Sequence, residues 1–371
     1  MTLNFCFANF IPVHNSIQNS IRNPLDFMNE SIINIDHNSK IPKYEQLIRS
    51  IQNAIKNGDL RRGDLLPSIN SIAENHPIAR DTVIKAFHSL KNRGIITSVP
   101  GKGYFVYQTQ FQNKHNVFLL FDNFYSYKEA LYNSFKTTMG ENAIIDIYFH
   151  HSNPILYKTL IQNALDMYTE YVIMPMLDKE HLHWLTNTIG NRKTYILDIG
   201  CILYGKRFPS VCQNFQKQWY EALKSANSLI KNYDNLVLVL WRKAVNSNNK
   251  VNTFEMRKGF EQYCQEENVP HKIVEKESEI EIHKKTCYII PDNEDLVYFI
   301  NFAQKNSLKL GHDIGLISHN DEPLKAVVAN VGIATITTDF VKMGQNMAEM
   351  IMESSIKHIE NPSSLIIRGS L

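Results

Sequence analysis

The sequence predicts an α/β protein in which a small module of three helices and a hairpin precedes a two-lobed, doubly wound domain. Three observations carry this. Helical periodicity gives way at Gly94 to two short β-rich runs joined by glycines. From Val117 onward, apolar strand cores alternate with helical segments, the pattern of parallel sheets covered on both faces. The charge is also divided: residues 41–107 hold ten Lys or Arg against five Asp or Glu, while the rest holds 29 against 32, from totals of 39 and 37. A module of net charge +5 joined to a domain of net charge −3 implies a polyanionic partner for the module alone.

Composition narrows the class further. A chain of 371 residues holds two or three domains, and 43% hydrophobic with 20% charged residues excludes a collagen, a long coiled coil or a wholly disordered chain. No apolar run approaches the roughly 18 residues that span a bilayer. The stretch Met1–Val13 lacks the basic start and small-residue cleavage site of a signal peptide, so a cytoplasmic protein is expected. Cys6, Cys201, Cys212, Cys264 and Cys287 are odd in number and form no C-x-x-C pair, which predicts reduced thiols.

Residues 1–38, rich in Asn, Ser and Ile, read as a poorly ordered extension. The module spans 39–108. Tyr44, Leu47, Ile48, Ile51, Ala54 and Ile55 form one helical stripe, which Asn57, Gly58 and Asp59 end. Ser68 is placed to cap a short second helix, and a third runs from about Ala79 to Asn92 with Val83, Ala86, Phe87 and Leu90 inward. Ile95–Val99 and Tyr104–Tyr107 then form a hairpin through Pro100, Gly101, Lys102 and Gly103. This is the layout of a winged helix-turn-helix. Arg80 leads the residues placed to read base edges, with Asp81, Thr82 and Lys85 beside it and Lys102 at the hairpin tip.

A polar linker at 109–116 leads to the domain 117–371. Its strands are predicted at Val117–Phe121, Ala143–Phe149, Tyr171–Met174, Thr194–Leu197, Leu236–Leu240, Lys272–Val274, Thr286–Ile290, Ile314–Ile317 and Ala334–Thr337. Nine strands exceed one mononucleotide-sized sheet, so two lobes with a cleft are expected, and ligands in such sheets bind beyond the carboxyl ends of strands. The loops there carry Asp122, Phe124, Tyr125, Met176, Trp241, Arg242 and Asp292. Carboxylates, amides and aromatic faces together suit a polyol.

The segment from Tyr44 to Val106 resembles the GntR-type winged helix domain, through its P-S turn, A-R-D-T-V helix start, R-G-I-I exit and G-K-G wing. The resemblance implies DNA contacts from Arg80, Thr82, Gly101 and Gly103, with Ser68 and Asn70 on the adjoining turn. Asn70 stands where the family has an arginine, and Ala79 where it has a serine. The segment GHDIGLISHNDEPLKAVVANVGIATITTDFVKMGQNMAEMI, with LIIRGSL after it, resembles the effector domain of LacI/GalR-type regulators, which has the periplasmic-binding-protein-like fold. That likeness implies that Asn320 takes the place of a sugar-contacting aspartate and that Arg257 lies beside the family's sugar-binding arginine, at whose spacing this chain has Met256. It also implies three crossings between lobes, near 207–210, 337–339 and 360–362.

No G-x-S-x-G elbow, P-loop or H-E-x-x-H is present, and neither His150 with His151 nor His181 with His183 has helical metal-ligand spacing, so no enzyme, cofactor or metal is expected. The sequence predicts a homodimeric regulator, a repressor by family analogy, that binds an inverted-repeat operator in double-stranded DNA under control of a small-molecule effector, a sugar by analogy, with no membrane partner. Its alternatives are a ligand-independent architectural DNA-binding protein and a free solute-binding protein.

Overall fold

The computed structural model describes residues 32–39, 42–109, 115–165, 167–205, 207–241 and 249–371. Most of the expected extension and linker, together with Cys6 and Arg242, lies outside them. The chain divides into two compact units between Asn116 and Val117, apart from a short segment at 166–168 that groups with the first.

In the first unit, α1 (Lys43–Asn57), α2 (Ile69–Asn75) and α3 (Arg80–Asn92) pack ahead of a hairpin of β1 (Ile96–Val99) and β2 (Gly103–Val106). The stripe predicted on α1 is the buried one, and Leu47, Ile51, Val83, Phe87 and Leu90 are at most 1% exposed. Full burial of a side chain of this size contributes roughly 2 kcal/mol. Gly58, at φ 83°, ends α1 in the left-handed region, and Ser68 caps α2 by accepting from the Ser71 N–H at 3.1 Å. The hairpin is held to α3 by Phe87 and Tyr104, whose rings meet edge to face at 4.8 Å. Residues 64–66 add a third strand-like segment: Leu65 bridges Phe105, and the Leu66 N–H donates to the Tyr104 carbonyl. Ile33, which the sequence places in the extension, is buried against this core, and the Asn34 and Asp36 amides donate to Ser50 and Gln46 of α1.

The second unit runs β3 (His115–Phe121), α4 (Tyr127–Met139), β4 (Ala143–Phe149), α5 (Pro154–Ala164), β5 (Glu170–Ile173), α6 (Lys179–Ile189), β6 (Lys193–Asp198), α7 (Cys201–Tyr204) and β7 (Ser210–Cys212). It continues α8 (Phe215–Ser225), α9 (Asn227–Ile230), β8 (Asn235–Val239), α10 (Asn249–Glu267), β9 (His271–Val274), β10 (Thr286–Ile290), α11 (Asn293–Lys305), β11 (Ile314–His319) and β12 (Ala334–Thr338). It ends with α12 (Phe340–Met352), β13 (His358–Glu360) and β14 (Ser363–Ile366). Two six-stranded sheets result, ordered β13-β7-β6-β5-β3-β4 and β14-β12-β11-β10-β8-β9. The first lies in the first lobe and the second in the second. The pairings β3–β5, β5–β6, β6–β7, β8–β10, β10–β11 and β11–β12 are parallel, whereas β14 joins β12 antiparallel.

All nine predicted strands are present, two with the bounds expected. The three not expected, β7, β13 and β14, are the strands flanking the lobe crossings. The chain passes from β7 of the first lobe to α8 on the second, from β12 of the second to α12 on the first, and from β13 back to β14. The first crossing therefore follows Cys212, a few residues later than the sequence suggests. α12 packs on α4 and α8 on α10, each closely enough that a glycine is required. A Cβ on Gly344 would lie 2.4 Å from the Leu131 carbonyl oxygen, and one on Gly259 would lie 2.2 Å from that of Gln216.

One residue joins the three crossings. Asn361, only 2% exposed, donates its N–H to the Cys212 carbonyl at 2.8 Å. Its side-chain amide donates to the Asp339 carbonyl at 2.7 Å and to Thr338 Oγ1 at 3.1 Å.

The expectation of reduced thiols is corrected at one pair: Cys201 and Cys212 form a disulfide. They lie eleven positions apart in sequence, but Cys201 opens α7 just beyond β6 and Cys212 ends β7, the parallel neighbour of β6. Cys264 and Cys287 are free and buried.

Candidate functional site

The first unit presents one exposed polar surface built from the starts of α2 and α3. Asn70, Arg80 and Asp81 are exposed there and Thr82 is half-buried. Arg80 Nε donates to Asn70 Oδ1 at 3.1 Å, so the residue that departs from the family pattern orients the guanidinium. Ala79, the N-cap of α3, offers no side-chain acceptor, and the Thr82 N–H reaches only its carbonyl, at 2.9 Å. An uncapped helix start is an anion-seeking end. Lys85 points toward α1, its ammonium 4.6 Å from the centre of the Tyr44 ring. Gly101 and Gly103, at φ 73° and 112°, shape the hairpin turn that exposes Lys102. An arginine fixed in plane beside an amide, on an exposed helix start with a basic hairpin tip, has the chemistry to read base edges and hold phosphates.

The second unit has two neighbouring features at strand carboxyl ends. The first is a buried ionic cluster. Lys128, 2% exposed, contacts Asp122 closely and lies 3.7 Å from Asp198, which accepts from Gln213 Nε2 at 2.6 Å. Burial works to lower the Lys128 ammonium, but Asp122 and Asp198 outweigh it and hold it above its usual range. Burial raises the Asp198 carboxyl, with Lys128 opposing. Burial, reinforced by Asp198 and Asp122, raises the phenol of Tyr127 as well.

The second feature is a cavity of about 720 Å³ between the start of α4, the loop after β11 and the ends of β12 and β14. Tyr127 and Phe340 form an aromatic wall, their ring centres 4.7 Å apart. Ser126, Thr337, Thr338, Ser363 and Ser364 supply hydroxyls, and Glu129, Asp321, Glu322 and Asp339 supply carboxylates. Three of these acids are engaged: Asp321 makes a two-pronged pair with Arg368 at 2.7 and 2.8 Å, Asp339 caps α12, and Glu322 accepts from Asn293 Nδ2 at 3.4 Å. Among the described residues lining the cavity, none is Lys, Arg or His.

The ligand residues expected from sequence fall around rather than in this cavity. Asp122 belongs to the ionic cluster, and Tyr125 stacks on the cavity residue Tyr127 at 5.5 Å. Phe124 is exposed and meets Phe149 edge to face. The Met176 carbonyl accepts from Tyr204. Trp241 is buried, its Nε1–H donating to Asp295. Arg257 pairs with Glu261 at 2.9 Å and Glu275 at 3.0 Å, and Asp292 caps α11. Asn320 is nearly buried, at φ 57°, and its Oδ1 has no hydrogen-bond partner among the described residues. Lys128 was missed. The signal was a lysine on the apolar stripe Lys128, Leu131, Phe135 and Met139, the buried face of α4.

Comparison with known proteins agrees with this division. The profile described as "Bacterial regulatory proteins, gntR family" matches residues 43–106. The HTH-type transcriptional repressor NagR of Bacillus subtilis is 39% identical over 74 residues, 20% of this chain and 30% of that protein. The HTH-type transcriptional repressor YtrA of the same organism is 35% identical over 75 residues, 20% of this chain and 58% of that one. The likeness to these relatives thus spans less than two thirds of their length. Among solved structures, a LacI family transcriptional regulator from Silicibacter pomeroyi superposes with a TM-score of 0.55 at 11% identity, covering 69% of this chain and 98% of that one. The lac repressor dimer bound to operator and an anti-inducer gives 0.55 at 14% identity, covering 69% and 94%. Residues 43–106 are a winged helix domain of the gntR family of bacterial regulatory proteins, and the chain pairs it with the two-lobed fold of LacI-family regulators.

Proposed function

We propose that the chain is a one-component transcription regulator, a repressor that binds an inverted-repeat operator as a homodimer and responds to a small polyol in its second unit. The observation that carries this reading is the Arg80–Asn70 pair on an exposed helix start, in a chain that also holds a hydroxyl- and carboxylate-lined cavity at strand ends. NagR and YtrA are named repressors, and the lac repressor structure holds an operator and an anti-inducer, which supports the sign of control by analogy. Hydroxyl donors of a sugar suit the carboxylates and its apolar face suits Tyr127 and Phe340.

Dimerisation is assigned to an apolar patch on the second lobe. Leu324 and Val327 are 71% and 68% exposed, with Val331 and Ile367 also exposed. Large apolar side chains exposed to this degree are candidates for coverage by a second copy of the chain. The test uses operator duplexes selected from a random pool, with binding followed by anisotropy with and without neutral hexoses and pentoses. Sequence preference that a neutral sugar weakens supports the reading. Equal affinity for selected and scrambled duplexes overturns the specific regulator in favour of an architectural binder. Leu324→Asp is expected to yield monomers in sedimentation.

A further inference from the structure

The disulfide occupies a strategic place. Cys212 is the last residue of β7, and its carbonyl receives the Asn361 N–H that ties the lobe crossings together. Asp198 lies opposite Cys212 in the β6–β7 register and belongs to the ionic cluster with Lys128 and Gln213. Cys201 opens α7, a helix of only four residues. A single turn has no stability of its own in water, so it depends on what fastens it. Two such fastenings are the bond to Cys212 and the Tyr204 hydroxyl, which donates to the Met176 carbonyl at 2.6 Å. The bond therefore clamps the segment after β6 onto the strand where the first crossing begins.

The two sulfurs differ in access. Cys212 is 1% exposed, whereas Cys201 is only partly buried, which makes it the sulfur an attacking thiolate would reach first. The other described cysteines are buried, with burial pushing the Cys264 thiol up to about 12 and raising Cys287 as well, which leaves them inert. We infer that the Cys201–Cys212 pair is a redox-sensitive clamp on the hinge, opened by small thiols and closed by small disulfides. In opening, a thiolate attacks the Cys201 sulfur and the electron pair of the broken S–S bond leaves on Cys212. A second thiol then resolves the mixed disulfide. Two small thiols are oxidised to one disulfide, and their two protons end on Cys201 and Cys212. That the bond is exchanged rather than permanent rests on the proposed regulator role, since a protein that works on DNA meets thiol reductants.

The test uses the full chain and never reads DNA binding, so it can fail independently of that role. The protein is equilibrated in glutathione buffers of graded thiol-to-disulfide ratio, then denatured and alkylated with a maleimide. Of its five cysteines, three are expected to label at the oxidising end and all five at the reducing end. Reduction is expected to lower the melting temperature by about 5 °C. It should also speed trypsin cleavage after the exposed Arg207 by about tenfold, through local opening. Cys201→Ser and Cys212→Ser should cleave at the fast rate in either buffer. Five labels in oxidised glutathione, a bond that glutathione never opens, or an unchanged cleavage rate at Arg207 on reduction of the unaltered protein each overturns the clamp.

Discussion

Arg80 Nε donates to Asn70 Oδ1 across 3.1 Å, joining the first turn of α3 to the first turn of α2 on an exposed surface. A guanidinium held in one plane is prepared for two-pronged pairing with a guanine edge. Arg80→Ala is expected to lose about 1–3 kcal/mol on the preferred duplex and much less on a scrambled one. Asn70→Ala keeps the charge but frees the plane, so it should reduce discrimination while leaving the salt dependence unchanged. Anisotropy titrations at several salt concentrations measure both, and equal losses on the two duplexes would reduce Arg80 to a phosphate contact.

Ala79 supports a stability prediction. Its extended backbone, φ −61° and ψ 139°, is that of an N-cap, but its methyl accepts nothing. Ala79→Ser supplies a side-chain acceptor for the first-turn N–H groups of α3 and is expected to stabilise the first unit by about 1 kcal/mol, read as a higher urea midpoint at constant slope.

The ionic cluster predicts the opposite sign. Lys128→Met leaves Asp122 and Asp198 facing each other in a buried setting without their cation. The expected cost is about 3–5 kcal/mol of unfolding free energy in the second unit. Adding Asp198→Asn should recover part of it. A double variant no more stable than the single one would show that Lys128 contributes by packing.

His150 predicts a pH dependence. Burial holds its imidazole at about 4, its ring is fully buried, and its Nε2 lies 3.1 Å from the Met174 carbonyl. Below an ordinary histidine pKa the unfolded chain takes up a proton that the folded one refuses, so stability falls as pH drops from about 6.5 to about 4. The full loss is about 3 kcal/mol. His150→Gln should flatten that part of the profile in urea titrations between pH 7 and pH 5. An unchanged slope would assign the acid sensitivity to other groups.

Local patterns made the first unit and the nine main strands legible: the stripe on α1, the cap at Ser68, and apolar runs of strand length. β7, β13 and β14 were not legible because they span three or four residues and owe their conformation to partners far away in sequence. Thr335 of β12, for instance, lies opposite Ile366. The same holds for the Cys201–Cys212 bond, which adjacent parallel strands create and no spacing rule encodes. For the site, loop position put Asp122 and Tyr125 among the ligand contacts, but it could not show that Asp122 pairs with Lys128, that Trp241 turns into the second-lobe core, or that Arg257 finds two glutamates on and beyond its own helix. Orientation around a strand end is decided by packing, which one chain read alone does not display.

Asn361 gives the two lobes a shared joint. Its amides meet Cys212, Thr338 and Asp339, one partner on the first crossing and two on the second, while its own backbone is the third. Three separate straps would let the lobes twist, shear and open in many combinations. Three straps knotted at one buried amide must move together or break together. Such a hinge favours two well-defined settings over a continuum, because any halfway position leaves buried donors and acceptors unpaired.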